Sequence, residues 1–296
     1  MEKIMSLVKY EIFVESIKLG SLSRAAEKMG YTQSGVSHMM KSLEAEVGFP
    51  LFTRTAFGIQ PNSEGRLLLP IISDLLKRNE HLNQTIAAIK GLETGSVKVA
   101  SFSSTAIFWL PVILHRFELA HPNISVHISE GGVKFIESLL SQGDVDLAIY
   151  ARTDRSEFDW ISLQDDPLYA VLPKNHPLSR EKSFPLEAFM YNDFISPDED
   201  FDYHIHIVLK NLDHFPKIKF VSGNDFTIIS MVANGMGISI LPRLILQDSL
   251  HKISALPIDP PFFRNLGIGV PNLNDLSPAA SQFICVTQAI VREFMN

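Results

Sequence analysis

A single cysteine, Cys285, stands in 296 residues. One thiol excludes an intramolecular disulfide framework and any zinc site built on cysteines. No apolar run reaches the roughly 18 residues that a membrane-spanning helix needs. The opening stretch carries Glu2 and Glu11 and lacks the apolar centre and small-residue cleavage site of a secretory leader. These absences predict a reducing, cytoplasmic setting with no membrane partner. The motifs of common catalysts are also missing: no G-x-S-x-G, H-E-x-x-H, P-loop or dinucleotide fingerprint occurs. Neither an enzyme nor a cofactor is expected. Positive charge is scarce too, with a net charge of −7. Its distribution matters more than its sum. Residues 1–66 hold eight Lys/Arg against seven Asp/Glu, so the acidity lies beyond them.

What is present reads first as helices. Over 4–18, Met5, Val8, Ile12, Phe13, Val14 and Ile17 recur at helical spacing. Gly20 ends that helix, and Ser21 is a good N-cap for a short second one reaching Met29. Gly30 supplies a tight turn. Thr32 then caps a third helix from Gln33 to about Val47, with Val36, Met40 and Leu43 facing inward and Gly48 as its stop. Two helices joined by a short glycine-containing turn are a helix-turn-helix signature. The small pair Ala25-Ala26 suits their close crossing. A plain helical bundle has similar helix lengths. Leu51–Arg54 and Thr55–Gln60 read as two extended pieces around Gly58, a wing that sets cations beside DNA phosphates or the minor groove.

The run Phe13, Gly20-Ser21-Leu22, Ala25-Ala26, Thr32-Gln33-Ser34, Val36-Ser37, Leu43-Glu44, Gly48, Leu51-Phe52, Arg54 and Gly65 resembles the N-terminal domain of LysR-type transcriptional regulators. The likeness covers about 60 residues without a gap, and the layout of the remaining chain agrees with it. The chain departs from the pattern at four places. Gly35 stands where alanine is usual in the recognition helix and weakens it by up to about 1 kcal/mol. His38 stands where arginine is frequent, Phe57 replaces a frequent wing arginine, and Asn62 replaces the usual threonine cap. Fewer cations imply weaker salt dependence and an altered operator preference.

Asn62 opens a helix expected to run to about Lys90. Leu68, Ile72, Leu75, Asn79, Leu82, Ile86 and Ile89 alternate in steps of four and three, which is a coiled-coil seam with a polar Asn79 on it. The alternative is packing on its own domain's core. The resemblance favours pairing, since the family joins subunits through this helix. Pro70 predicts a kink.

From Ser96 the pattern becomes βαβ. Strands are expected at 97–101, 124–130 and 146–150, with helices after Ser103–Thr105 and over 134–142. A second lobe adds strands near 168–172, 217–221 and 238–241 and a helix over 225–234. Gly267–Val270 and a helix over 278–294 return to the first lobe. Such alternation predicts a mostly parallel sheet with helices on both faces. The resemblance implies a two-lobed, periplasmic-binding-protein-like α/β effector domain. The whole is a multi-domain α + α/β chain: a winged helix-turn-helix (1–62), a linker helix (63–91) and an effector domain (92–296). Lobe I takes 92–162 and 267–296, and lobe II takes 163–266.

Candidate DNA contacts are Ser23, Thr32, Gln33, Ser34, Ser37, His38, Lys41 and Arg54. Gln33 is suited to adenine or to phosphate. Ser34, Ser37 and His38 read base edges or phosphates, while Thr32, Lys41 and Arg54 position the backbone. A paired protein would place two such helices in major grooves, so the operator in double-stranded DNA should be an interrupted dyad. The resemblance adds a homodimer, extending to a tetramer that bends DNA. Ligands of open α/β sheets bind outside the carboxyl ends of strands. Ser101, Phe102, Ser103, Ser104 and Thr105 lie at such a junction, as do Tyr150 and Arg152, with Arg152 the natural counter-ion for an organic anion. Phe201, Asp202, Asn224 and Thr227 approach from the second lobe. Ser103 or Ser104 can equally be an N-cap, and Asn224 and Thr227 can cap their own helix. A rival reading is a cytoplasmic solute-binding or metal-sensing protein, resting on the effector half and on Asp198–His206.

Overall fold

A computed structural model describes residues 6–55, 58–91, 94–154, 156–198 and 203–295. The chain forms two compact units, residues 1–90 and 91–296. Phe57, Phe201 and Asp202 lie outside the described residues.

In the first unit, α1 (Leu7–Leu19), α2 (Leu22–Met29) and α3 (Gln33–Val47) are punctuated by Gly20, Gly30 and Gly48, all in the left-handed conformation. Ser21 Oγ accepts from Arg24 N–H and Thr32 Oγ1 from Gly35 N–H, so two of the three helices start on a side-chain cap. Strands β1 (Phe52–Thr55) and β2 (Gly58–Pro61) pair antiparallel. Helix α4 (Ser63–Ile89) begins at Asn62, whose Oδ1 accepts from Gly65 N–H and whose Nδ2 donates to Pro50 O. A Cβ on Gly65 would lie 1.9 Å from Leu51 O, so only glycine permits this approach of α4 to the hairpin. Phe13, Ala26, Val36, Met40, Leu43, Leu51, Ile59 and Ile72 form the core.

Helix α4 continues through Pro70 to Ile89, and its expected seam is divided. Ile72 is buried, and Leu68 packs against the same core. Their half of the stripe belongs to the domain's own interior. Leu75, Leu82, Ile86 and Ile89 stay exposed, joined by Leu67 and Ile71. The apolar stripe therefore serves packing at one end and leaves a bare face at the other.

In the second unit, β3 (Gly95–Ser101), α5 (Ser103–Phe108), α6 (Leu110–Ala120), β4 (Ile124–Glu130), α7 (Val133–Ser141) and β5 (Leu147–Ala151) give parallel pairing of β3 with both β4 and β5. The long strand β6 (Asp159–Pro173) follows, then β7 (Phe184–Pro185), β8 (Asp193–Pro197), α8 (Tyr203–Leu209), β9 (Lys217–Ser222), α9 (Asp225–Ala233), β10 (Ser239–Pro242) and α10 (Arg243–Leu246). Strands β11 (Ile253–Asp259) and β12 (Phe263–Val270) and helix α11 (Pro278–Met295) complete the unit.

The large sheet is mixed rather than mostly parallel. Strand β12 runs antiparallel to β5 and β6, and β6 pairs antiparallel with β10 and β11. The first half of β6 thus belongs to the first lobe and the second half to the second lobe. The lobes join within continuous strands, β6 outward and β12 back, instead of through loops. Separate apolar cores fill the first lobe and the two faces of the second.

Candidate functional site

On α3, Ser34, His38 and Lys41 follow each other in steps of four and three and are exposed, as are Thr32 and Gln33. Val36, Met40 and Leu43 are buried on the opposite face, which fixes how the helix is presented. Ser37 is half-buried beside that exposed face; Ser23 is exposed on α2 and Arg54 on β1. Lys9 pairs with Glu46 and Lys28 with Glu15. Among the described residues, His38, Lys41 and Arg54 have no side-chain partner. They are cations and a donor left free for an external anion. Thr32 is committed to its cap at 3.1 Å. A Cβ on Gly35 would come to 3.0 Å from the same hydroxyl, so the glycine gives the cap room.

The β3–α5 turn is arranged differently from a row of open hydroxyls. Ser101 Oγ and Thr105 Oγ1 are 2.7 Å apart, and Thr105 Oγ1 donates to the carbonyls of Phe102 and Ile149. This buried knot ties α5 to β3 and β5. Ser104 is buried, and its Oγ accepts from Arg264 Nη2 at 2.8 Å. Ser103 is the hydroxyl on this turn that is both half-exposed and without a partner among the described residues. Tyr150 is fully buried with its OH 3.0 Å from Ser156 Oγ, and its ring packs edge-on to Phe102 and Trp160. Burial pushes its phenol up to about 12, so it stays protonated. Arg152 is exposed, with no partner for its guanidinium among the described residues; its carbonyl accepts from His204 Nε2 at 2.9 Å, a bond from the first lobe to the second. Asn224 caps α9 by accepting from Thr227 N–H, and the Thr227 hydroxyl bonds the same oxygen. Both remain exposed. The structure thus brings Arg152 and His204 together and turns Ser101, Ser104, Thr105 and Tyr150 inward. Among the described residues, no group of three His, Cys, Asp or Glu is placed to hold a metal ion.

Two features escaped the sequence reading. Asp166 in β6 and Arg264 in β12 form a buried ion pair where the lobes join. Asp166 Oδ2 accepts from Arg264 Nε at 3.1 Å and Nη2 at 2.9 Å, and its Oδ1 accepts from Leu244 N–H at 3.0 Å. The guanidinium also lies 5.7 Å from the Phe102 ring centroid. The pair therefore links α10 of the second lobe to α5 of the first. The second feature is Glu137 on α7, with its Oε1 buried and without a hydrogen-bond partner. Burial holds its carboxyl above the usual range, against the opposing influence of the Ser156, Tyr150 and Thr153 hydroxyls. An acidic pair before Pro167 and a lone arginine on a strand were the available sequence signals, and neither specifies a partner 98 residues away.

Comparison with known proteins places this geometry. Residues 90–289 match the LysR substrate binding domain, and residues 7–66 match the bacterial regulatory helix-turn-helix protein, lysR family. The HTH-type transcriptional regulator CfxR of Cupriavidus necator is 30% identical over 255 residues, covering 85% of this chain and 78% of that relative. Full-length OxyR from Pseudomonas aeruginosa shares the fold with a TM-score of 0.78 at 23% identity, covering 98% of this chain and 96% of that one. The effector binding domain of QuiR, solved in complex with shikimate, has a TM-score of 0.62 at 21% identity over 68% of this chain and 98% of its own. The expected fold class, a helix-turn-helix followed by a two-lobed effector domain, is borne out.

Proposed function

The chain belongs to the LysR family of transcriptional regulators, and from that premise we propose that its operator binding is controlled by a small organic anion held between the lobes of residues 91–296. It is a DNA-binding transcriptional regulator with an effector-binding domain. The finer reading rests chiefly on the free guanidinium of Arg152. It stands at the carboxyl end of β5, the position where open sheets receive ligands, and the unpartnered Ser103 hydroxyl lies at the corresponding end of β3. A carboxylate there gains a charge-assisted bond that no protein group already takes. QuiR was solved with shikimate, an anionic ligand of the kind we infer here. Arg152 O and His204 Nε2 join the lobes beside this position, so an anion bound there acts by favouring one lobe arrangement.

On the DNA side, Gln33, Ser34, Ser37 and His38 read the major groove, and Thr32, Lys41, Arg54 and Ser23 set the helix against the backbone. The exposed Leu75, Leu82, Ile86 and Ile89 of α4 pair two chains, which gives an operator with interrupted dyad symmetry. Further association of dimers into a tetramer follows the family pattern. Among the described residues no helix is long and apolar enough to cross a membrane.

The test is footprinting on the DNA upstream of the protein's own gene and its neighbours, with and without a panel of small carboxylates. A ligand-dependent change in footprint or bend that is lost in Arg152→Ala supports the proposal. A footprint indifferent to every carboxylate, or one whose response survives Arg152→Ala, overturns it.

A further inference from the structure

A cavity of about 440 Å³ lies at the junction of the lobes, and Ser103, Arg152, Asn224 and Thr227 are not among its lining residues. Pockets of roughly 300–1,000 Å³ hold small ligands. Its polar wall is unusual in what it leaves unused. Arg243, the first residue of α10, is exposed, and its guanidinium has no partner among the described residues. Asp165 spends one oxygen on Asn265 Nδ2 at 2.7 Å and keeps the other free. The side-chain amides of Gln164 and Gln247 bond to nothing among the described residues, though both line the cavity. Trp109 also lines it, is only 3% exposed, and has an indole N–H without a partner there. Asp166, at the floor, is neutralised by Arg264 and adds no net charge.

One open cation and one open anion therefore face a space whose remaining wall, Leu244, Leu266 and Phe294, is apolar. We propose that this cavity is a second ligand site, for a zwitterion with an apolar body: the class of the apolar α-amino acids. The ligand carboxylate takes Arg243 and the Trp109 N–H. Its ammonium group takes the free oxygen of Asp165, and its side chain covers Leu266 and Phe294. A simple carboxylate leaves Asp165 facing like charge, and a simple amine leaves Arg243 unmatched, so each binds more weakly. Arg243 and Gln247 come from the second lobe and Trp109 and Phe294 from the first. Occupancy therefore favours the lobe arrangement that holds these walls at their present spacing. The proposal does not depend on the anion site assigned to Arg152.

Titration calorimetry on the full chain tests it, with L-leucine and L-phenylalanine as zwitterions, isocaproate and hydrocinnamate as carboxylates, and isoamylamine and phenethylamine as amines. Indole fluorescence gives a second readout. The chain has two tryptophans, so Trp160→Phe leaves Trp109 as the reporter. The expected result is saturable binding of at least one amino acid with a fluorescence change. Arg243→Ala should weaken it about tenfold or more, and Asp165→Asn should abolish the preference over the matching carboxylate. Arg152→Ala should leave binding unchanged. Arg243→Gln and Gln247→Ala serve if Arg243→Ala does not fold. Absence of saturable binding by either amino acid at millimolar concentration overturns the proposal. So does binding lost in Arg152→Ala but kept in the Arg243 variants, which would place the ligand at the other site.

Discussion

Replacing Asp166 with alanine removes two acceptors at once from the place where the lobes join. Arg264, 3% exposed, would lose both of its bonds to this carboxylate, and Leu244 N–H would lose its acceptor. Breaking a buried pair by deleting one partner costs about 3–5 kcal/mol, because the remaining charge is left uncompensated. That is a large part of the roughly 5–15 kcal/mol that holds a typical domain folded. Both tryptophans, Trp109 and Trp160, lie in residues 91–296. Tryptophan fluorescence in a urea titration therefore follows this unit alone, while helical circular dichroism also follows residues 1–90. Asp166→Ala should shift the fluorescence midpoint strongly, with little change in residues 1–90. Adding Arg264→Met to it should recover much of the loss, since a pair replaced by apolar groups is often neutral. A loss below about 1 kcal/mol, or a double variant no more stable than the single, would refute the claim that this pair is desolvated and coupled.

Thr32→Ala removes the α3 cap and should cost about 0.5–2 kcal/mol in the unfolding of residues 1–90 followed by circular dichroism. His38→Arg adds a full cation to the exposed face of α3. Measured by fluorescence anisotropy, DNA affinity should rise, and the salt dependence should steepen by about 0.9 per chain in log–log slope. Leu82→Arg puts charge on the bare face of α4, and sedimentation should report loss of the dimer while circular dichroism stays unchanged. Glu137 is protonated more readily folded than unfolded, because burial raises its pKa. The folded state then binds the extra proton, so this group's contribution is best below the ordinary glutamate pKa and is lost as pH rises through the raised value. Glu137→Gln should abolish that decline, making the variant's urea midpoint flatter between mildly acidic and neutral pH.

The helices of the first unit were legible in the sequence because their determinants are local. A cap such as Ser21, Thr32 or Asn62 acts on a backbone N–H three residues away, and an apolar stripe repeats within two turns. The same holds for the βαβ rhythm from Gly95 to Ala151. Local rules do not say which side of a stripe meets which core. Leu68 and Ile72 obey the same spacing as Leu82 and Ile86, yet the first two are taken by α1–α3 and the hairpin and the last two are not. Only the tertiary structure separated them. It also turned Ser104 away from a ligand and toward Arg264, and left Arg152 free. These outcomes depend on strands far apart in sequence meeting at one hinge, where a charge is tolerable only if its partner arrives with it. Sequence alone determined that this chain is a helix-turn-helix reader joined to a two-lobed sensor. Three-dimensional packing decided which of its polar groups are already satisfied, and so which remain to bind anything else.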